Sequence, residues 1–197
     1  MQSLYYFIVK PLEERYDNIR RVDDTDLIIN TSIENHRFIS KKAVVVSTPA
    51  AYTTEVNIGD EVYVHHNVFR RWYDQKDRER NSSTYFKDDF YFVIPEQIYM
   101  YNLKPHLDYC FVKPLKNQSI LENRKEQPNV GIVKYSNKSL EALGITPETL
   151  ITFTPNSEFE FIIEGERLYC MKSNDIALTH EYQGNEEEYN PSWAKSS

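Results

Sequence analysis

Short apolar runs separated by polar turns make up most of this 197-residue chain. Five segments concentrate Val, Ile, Phe and Tyr over about five residues each, as β-strands do; they are YFIVKPL, KKAVVVS, DEVYVHH, DFYFVIP and QIYMYN. Only SLEAL (Ser139 to Leu143) has the spacing of a helical turn. The pattern predicts an all-β protein, and because the chain contains just 5 Gly, its turns must depend on Asn, Asp and Pro.

The apolar pattern of the first half returns in the second half in the same order. FIVKPL (Phe7 to Leu12) matches CFVKPL (Cys110 to Leu115) at a spacing of 103 residues. Three further pairs follow: AVVVS with GIVKYS, NIGDEVYVHHNVFRRW with GITPETLITFTPNSEFEF, and FYFVIPEQIYMY with RLYCMKSNDIAL. An ordered series of matches indicates an internal duplication. It predicts a first repeat over residues 1–102, a second repeat over 103–182, and an acidic tail, 183–197, that we expect to be disordered.

The first repeat contains two insertions relative to the second. The spacing between matched residues shrinks along the chain, from 103 at Lys10/Lys113 to 87 at Ile58/Ile145 and 78 at Ile98/Ile176. The second repeat therefore lacks about 16 residues after its first strand and about nine before its last two strands. The additional residues of the first repeat form a polar segment at about 17–40 and a polar loop at 70–89.

The first insertion carries three consecutive aliphatic residues in polar surroundings: Leu27, Ile28 and Ile29. They could form an edge strand packed on the repeat's own fold, or a hydrophobic binding element held on a mobile loop. The second repeat lacks the insertion, so the fold does not require these residues. Three carboxylates also crowd the approach to them, where a core strand would rarely hold any: Asp23, Asp24 and Asp26. Both observations favour a mobile binding loop.

Charge and composition exclude several kinds of partner. A net charge of -7 and a pI near 5.3 argue against nucleic acid and anionic membranes, which require clustered Lys and Arg. No apolar stretch approaches the ~18–20 residues of a membrane span, and LYYFIV is too short for a signal peptide. We therefore expect a cytoplasmic protein, in which Cys110 and Cys170 are buried thiols rather than a disulfide.

The sequence also lacks the patterns of common catalytic and metal sites. His65 and His66 are adjacent, so on a strand they would point to opposite faces and could not share a metal ion. We find no Ser-His-Asp context, Gly-rich phosphate loop or HExxH run. We therefore predict a protein that is not an enzyme and has no catalytic residue, no metal and no cofactor of its own.

The order of these motifs resembles the GroES-type co-chaperonins. FIVKPLEERYDN, a polar loop with DLIINTS, then KKAVVVSTP, NIGDEVYVHH and DFYFVIPEQIYMY follow the succession of strands and mobile loop in that family. In the second repeat, ETLITFTPNSEFEFIIEGERLYCMKSNDIAL (Glu148 to Leu178) resembles the last three strands of the family. The resemblance covers residues 4–182. It implies two tandem GroES-like small β-barrels.

The resemblance also implies a function. Leu27, Ile28 and Ile29 correspond to the hydrophobic tripeptide with which such a mobile loop binds a GroEL-type chaperonin ring. The partner ring binds the ATP, and the cap assists the folding of unfolded client proteins inside it. Seven chains that each offer one loop match a sevenfold ring, so a heptamer is expected. The alternative is a structural or virion-associated assembly protein built on the same tandem barrels.

The chain departs from the family pattern at several points. Asp26 replaces the Gly that precedes the tripeptide in the family. The segment AAYTTEV (Ala50 to Val56) is too short for a roof hairpin, and in this respect the chain resembles the phage-encoded members of the family. In the second repeat, Ser119-Ile120-Leu121 is interpreted as an ordinary turn rather than a remnant anchor. The added loop 70–89 supplies four aromatic residues that could line the cavity, contact a neighbouring subunit or fold back on their own barrel: Trp72, Tyr73, Tyr85 and Phe86.

Overall fold

The computed structural model describes residues 2–16, 19–22, 25–28, 39–117, 125–181 and 186–196. It divides into two compact units, Met1–Asn102 and Leu103–Ser197. The described elements are antiparallel strands with one five-residue α-helix and a few 3-10 turns, so the predicted all-β class is confirmed. The division between the units coincides with the division between the two sequence repeats.

The described residues of the first unit form ten strands: β1 (Phe7–Pro11), β2 (Ile19–Val22), β3 (Thr25–Ile28), β4 (Lys42–Ser47), β5 (Glu61–Val64), β6 (Arg71–Tyr73), β7 (Glu79–Asn81), β8 (Tyr85–Lys87), β9 (Phe90–Val93) and β10 (Ile98–Tyr101). Six of them form the main sheet in the order β10-β5-β4-β1-β9-β8. The two-residue strand β11 (Lys104–Pro105) follows in the chain. The pairs β2–β3 and β6–β7 are separate two-stranded sheets. These two hairpins lie within the two insertions.

The second unit contains a six-stranded sheet in the order β15-β16-β12-β13-β14-β17. Its elements are β12 (Tyr109–Lys116), β13 (Glu126–Tyr135), α1 (Lys138–Ala142), β14 (Leu150–Phe153), β15 (Phe159–Ile163), β16 (Glu166–Lys172) and β17 (Ile176–His180). The predicted helical turn is confirmed as α1. Asn137 caps it, because its Oδ1 accepts a hydrogen bond from the Leu140 backbone N–H at 3.0 Å.

The duplication is confirmed at the level of strand register. Both main sheets have the same order, with β12, β13, β14, β16 and β17 in the places of β1, β4, β5, β9 and β10. Both also carry a β-bulge at the same point of the first pairing, between Ile8 and Val9 and between Phe111 and Val112. A 3-10 turn precedes the last strand in each unit, at Pro95–Gln97 and Ser173–Asp175. A bulge shared by two sheets is a conserved feature of one fold rather than a local accident.

Strand pairing also refines the size of the insertions. The partner of Lys10 is Val44 and that of Lys113 is Ile132, so matched positions of β4 and β13 are 88 residues apart. Matched positions are 89 residues apart between β5 and β14, and 78 residues apart between β10 and β17. The first insertion is therefore 15 residues and the second 11, against about 16 and about nine from the sequence. The difference arises because the sequence match relied on Ile58, which lies in the turn before β5.

Each unit packs its own hydrophobic core. In the first unit, buried side chains alternate along β4, whereas β1 buries every residue except Lys10. The Phe69 ring meets the Tyr91 ring edge-on with centroids 4.8 Å apart. In the second unit, one core cluster comprises Cys110, Val112, Val133, Leu140, Ile145, Ile151, Phe153 and Met171. Among the described strands neither sheet closes on itself, so the open sheets establish the all-β class, and GroES-like barrels remain a prediction.

The C-terminal residues differ from the disordered tail that we expected. Residues 187–189 run beside β12, where the Lys116 N–H donates to the Glu187 carbonyl at 2.7 Å and the Tyr189 N–H donates to the Pro114 carbonyl at 2.8 Å. The Glu188 carboxylate lies 2.6 Å from Lys113 Nζ, and Ala194 is fully buried. The sequence contains no sign of these ion pairs, because the Lys partners lie about 70 residues away in the chain.

Candidate functional site

The first insertion begins and ends at a single pair of bridged residues. Tyr16 and Ile39 form an antiparallel bridge, and the Ser40 N–H donates to the Arg15 carbonyl at 3.0 Å. Both bridge side chains are buried in the first core. Residues 17–38 are therefore a closed excursion whose two ends are anchored together, which agrees with the boundaries predicted for the insertion.

Part of this excursion is a β-hairpin rather than an irregular loop. Strands β2 and β3 pair antiparallel, with Leu27 opposite Arg20 and Ile28 opposite Ile19. Two of the three predicted binding residues thus lie on a strand, and Ile29 lies outside the described residues. The described pairing of β3 is with β2, in a two-stranded sheet separate from the main one.

The second insertion forms a second hairpin, β6–β7, followed by the edge strand β8. Its tip is closed by Asp74, whose carboxylate accepts hydrogen bonds from the backbone N–H groups of Lys76 and Arg78 and forms ion pairs with Arg78 and Arg80. These donors, the Arg78 backbone N–H foremost, lower the pKa of Asp74 to about 2. The charged run DQKDRER is therefore a turn in which Asp74 pairs with both Arg78 and Arg80.

The structure separates the four aromatic residues that were predicted as a cavity or subunit contact. Trp72 and Tyr73 are 42% and 50% exposed, on consecutive positions of β6 that face opposite sides of the hairpin. Phe86 is also exposed, with its ring centroid 5.0 Å from that of Phe92. Tyr85 instead packs against the first core and meets Tyr91 edge-on at 5.5 Å. Tyr85 thus folds back on its own unit, which is one of the three alternatives that the sequence left open for these residues.

The roots of the two hairpins contact each other directly. The Arg71 N–H donates to the Tyr16 hydroxyl oxygen at 2.8 Å, and the Arg71 guanidinium lies 4.6 Å from the centre of the Tyr16 ring. Arg15 donates through Nη2 to the Phe69 carbonyl at 3.2 Å and to Asn81 Oδ1 at 3.0 Å. We call Arg15, Tyr16, Arg71 and Asn81 the hairpin junction. Sequence reasoning missed all four residues, because no local pattern connects positions 54 to 66 residues apart.

The hairpin junction is partly buried and positively charged. The Nε atoms of Arg15 and Arg71 are buried and have no hydrogen-bond partner among the described residues. Burial acts to lower the pKa of Arg71, but its ion pair with Glu79 at 2.8 Å and the Tyr16 hydroxyl outweigh this and raise it. The Arg15 guanidinium also lies 5.5 Å from the centre of the Tyr91 ring. Burial raises the pKa of Tyr91 to about 12, so this phenol stays neutral beside the two cations.

The histidine pair corrects one step of the sequence-based argument. Strand β5 ends at Val64, so His65 and His66 lie in the following turn, and their rings stack with centroids 4.2 Å apart instead of facing opposite ways. Burial lowers the pKa of His65. Within the described ranges, His, Cys, Asp and Glu side chains form no group of three or more that could hold a metal ion. No helix in those ranges is long and apolar enough to cross a membrane.

The two cysteines are buried and unbonded to each other, as predicted. They lie on neighbouring strands, with Cys110 opposite Met171 and Cys170 opposite Phe111. Consecutive residues of a strand face opposite sides of the sheet, so the two thiols face opposite sides too. Burial raises the pKa of Cys110 to about 12, which keeps it a neutral and unreactive thiol.

The candidate site is therefore a pair of hairpins whose roots are in contact, and the residues described for the second repeat include no counterpart of it. One hairpin carries the aliphatic residues Leu27 and Ile28, and the other carries the exposed aromatic residues Trp72 and Tyr73. No protein-family model matches the sequence, and a search of curated proteins finds no match.

Proposed function

We propose that the protein is a co-chaperonin that caps a GroEL-type chaperonin ring through Leu27, Ile28 and Ile29 and so assists the folding of enclosed client proteins. The observation that carries the proposal is the β2–β3 hairpin, which extends from a closed root and forms a sheet separate from the main one. The residues described for the second repeat form the same main sheet without a counterpart of this hairpin. The main sheet can therefore form without the hairpin, which leaves the hairpin available to a partner.

The shared strand order of the two main sheets supports the proposed GroES-like architecture of both repeats. In this proposal the partner ring binds and hydrolyses the ATP, and the cap needs no cofactor. The chain acts in the cytoplasm, or in the host cytoplasm if it is viral. A heptamer gives a sevenfold ring one hairpin per subunit.

The energetics suit a reversible cap. Three aliphatic side chains gain ~1.5–3 kcal/mol each when a groove buries them. Ordering about a dozen free residues would cost ~1–2 kcal/mol per residue and cancel that gain. Residues already paired in β2–β3 have lost part of this freedom before they bind, so the preformed hairpin reduces the cost. Several hairpins on one ring then bind cooperatively, because each attachment after the first is intramolecular.

The test is the ATPase rate of a chaperonin with and without the protein. We expect the unmodified chain to change the hydrolysis rate and Ile28→Asp to abolish the change, because a carboxylate in an apolar groove is strongly disfavoured. Ile58→Asp is the matched control, since Ile58 is an exposed isoleucine of the same unit outside both hairpins. Circular dichroism should show both variants folded. An unmodified chain that leaves the ATPase rate unchanged would contradict the proposal.

One observation favours the alternative of a structural or virion-associated assembly protein. Tyr6, Phe92 and Phe86 form a row of rings with successive centroids 5.8 and 5.0 Å apart, and the row ends on the open edge strand β8. Exposed aromatic rows at a sheet edge suit a permanent contact between chains. Such a protein would assemble through this row without affecting a chaperonin, so the ATPase measurement separates the two functions.

A further inference from the structure

We infer that the end of β1 in the first unit is a docking site for an extended segment of a partner protein, in which a basic residue is followed by an acidic one. The second unit fills the corresponding place with its own C-terminal residues. The inference goes beyond the proposed capping function and does not depend on it, because it involves β1 and neither hairpin.

In the second unit, the C-terminal residues extend the sheet beside the end of β12. The Lys116 N–H donates to the Glu187 carbonyl at 2.7 Å, and the Tyr189 N–H donates to the Pro114 carbonyl at 2.8 Å. Both bonds lie beyond Val112, the last residue at which β12 pairs with β16. The C-terminal residues therefore bind by strand addition to an edge that β16 does not cover.

Two ion pairs accompany this main-chain pairing. Glu188 lies opposite Leu115, and its carboxylate is 2.6 Å from Lys113 Nζ. The Glu187 carboxylate is 2.8 Å from Lys116 Nζ. Leu115 itself is fully buried. Each of the two acidic residues thus pairs with one lysine of β12, on either side of a buried leucine.

The first unit has the same edge at the end of β1. By strand register, Pro11 corresponds to Pro114 and Leu12 to Leu115. The pairing of β1 with β9 covers only residues 7–9, so it ends at the position where the pairing of β12 with β16 ends. Leu12 is 38% exposed, whereas Leu115 is fully buried. The first unit therefore leaves exposed the leucine that the second unit buries.

The main chain at this edge offers the same acceptor and donor as in the second unit. The Leu12 N–H donates to the Lys42 carbonyl on β4 at 3.2 Å. Successive residues of a strand direct their backbone groups to opposite sides, so the Pro11 carbonyl and the Glu13 N–H point away from β4. Neither group has a hydrogen-bond partner among the residues that the structure describes. Such an edge is a template for an added strand.

The charges beside this edge determine which segment fits. Lys10 is exposed and holds the position of the lysine that pairs with Glu188, so it favours an acidic residue there. Glu13 is also exposed, and it stands where the second unit has Lys116. The C-terminal residues of a second copy would place Glu187 against this like charge. A segment with a basic residue in place of Glu187, followed by an acidic residue, matches both charges.

The experiment titrates two blocked peptides into the isotopically labelled full-length chain and follows its backbone amide signals by NMR. One peptide has the native sequence of residues 186–190, EEEYN, and the other carries Glu187→Lys. We expect the Glu187→Lys peptide to shift the Leu12 and Glu13 signals and to bind about three- to tenfold more tightly than the native peptide, because an exposed ion pair replaces a repulsion. The Lys116 signal should stay in place, since its edge is already occupied.

Two variants test the charges one at a time. Glu13→Lys should reverse the preference, so that the native peptide binds more tightly than the Glu187→Lys peptide. Lys10→Glu should weaken binding of the Glu187→Lys peptide, because the acidic residue of the peptide loses its partner. Lys76→Glu is the matched control, since Lys76 is an exposed lysine in the β6–β7 turn of the same unit, and it should leave both affinities unchanged.

Three results would overturn the inference. The first is that neither peptide shifts the Glu13 signal, and the second is that both peptides bind equally well. The third is tighter binding of the native peptide to the unmodified chain, which would make the C-terminal residues of a second copy the occupant. The two peptides decide the matter on the unmodified chain even where a variant fails to fold. The titration needs no chaperonin, so its failure and that of the capping function are distinguishable.

Discussion

Tyr91 and Tyr169 hold the same position in the two main sheets, opposite Val9 and Val112, but their surroundings differ. The Tyr91 ring is fully buried, and its hydroxyl has no hydrogen-bond partner among the residues that the structure describes. The Tyr169 hydroxyl is half-buried, donates to Glu126 Oε2 at 2.5 Å and accepts from Arg167 Nη2 at 2.9 Å. The duplicated core position is the same, and the polar chemistry around it is not.

The difference arises because the arginine beside each tyrosine comes from a different part of the chain. In the second unit, Arg167 lies two residues before Tyr169 on β16, stacks on its ring at 4.9 Å and pairs with Glu126 and Glu160. In the first unit, the ring of Tyr91 is approached by Arg15, which comes from the root of the first insertion and turns its guanidinium toward Asn81. The second repeat therefore uses its arginine to connect its own strands, while the first repeat uses one to hold the two hairpins.

The largest expected effect concerns the glycine of β13. Gly131 lies opposite Pro114, and the matching pair in the first unit is Ala43 opposite Pro11. A Cβ at position 131 would collide with the Val112 side chain and lie 2.6 Å from the Lys113 carbonyl oxygen. We expect Gly131→Ala to lower the free energy of unfolding of the second unit by about 2–3 kcal/mol, because overpacking a strand pair displaces backbone.

The reciprocal change is milder. Ala43→Gly should cost the first unit about 1 kcal/mol, through lost burial of one methyl group and greater freedom of the unfolded chain. Each unit has one tryptophan, Trp72 and Trp193, so urea unfolding followed in Trp193→Phe and Trp72→Phe backgrounds reports on one unit at a time. Equal losses of unfolding free energy from Gly131→Ala and Ala43→Gly would show that the two sheets have the same space for a side chain at this position.

The tyrosine comparison predicts an intermediate effect. Tyr169→Phe should destabilise the second unit by about 1–2 kcal/mol, because Glu126 and Arg167 lose a hydrogen-bond partner in a partly buried network. Tyr91→Phe should change the free energy of unfolding of the first unit by less than about 0.5 kcal/mol, since it removes a hydroxyl without a described partner. The same urea experiment measures both. A larger loss from Tyr91→Phe would reverse the comparison.

The smallest effect is a dependence on alkaline pH. An unfolded tyrosine ionises near pH 10, but burial raises the pKa of Tyr91 to about 12. Between these values the unfolded chain has released the proton and the folded chain has not, so the free energy of unfolding falls as pH rises from about 10 to 12.

Tyr91→Phe is the control for this pH effect. The variant should lose less stability than the unmodified chain between pH 10 and pH 12, when the Trp72 signal is followed in urea at each pH. Identical pH profiles would show that the phenol of Tyr91 is not held neutral in the folded first unit.

Much of the fold could be predicted from the sequence because its signals are local. Short apolar runs mark β1 and β4, SLEAL marks α1, and the repeated FIVKPL and CFVKPL segments mark the two units. Hydrophobic periods require no knowledge of distant contacts. The position of the first insertion followed from the same matches.

The candidate site could be predicted only in part. The sequence indicates where the aliphatic residues lie, but it predicted a loop where the structure has β2 paired with β3. It also grouped four aromatic residues that the structure divides between the core and the surface. Whether an insertion forms paired strands depends on its turn, and the sequence of this turn carries no clear turn signal. Whether an aromatic side chain is exposed depends on which residues pack against it in the folded chain.

The sequence by itself determined the all-β class, the duplication and the two insertions, since each depends on residues close together in the chain. The tertiary structure decided that Tyr16 receives Arg71, that Arg15 reaches Asn81, and that the acidic C-terminal residues pair along β12. The physical reason is the range of the interactions. A strand period is written into neighbouring residues, whereas a polar contact across more than fifty residues exists only after the strands between its partners have folded.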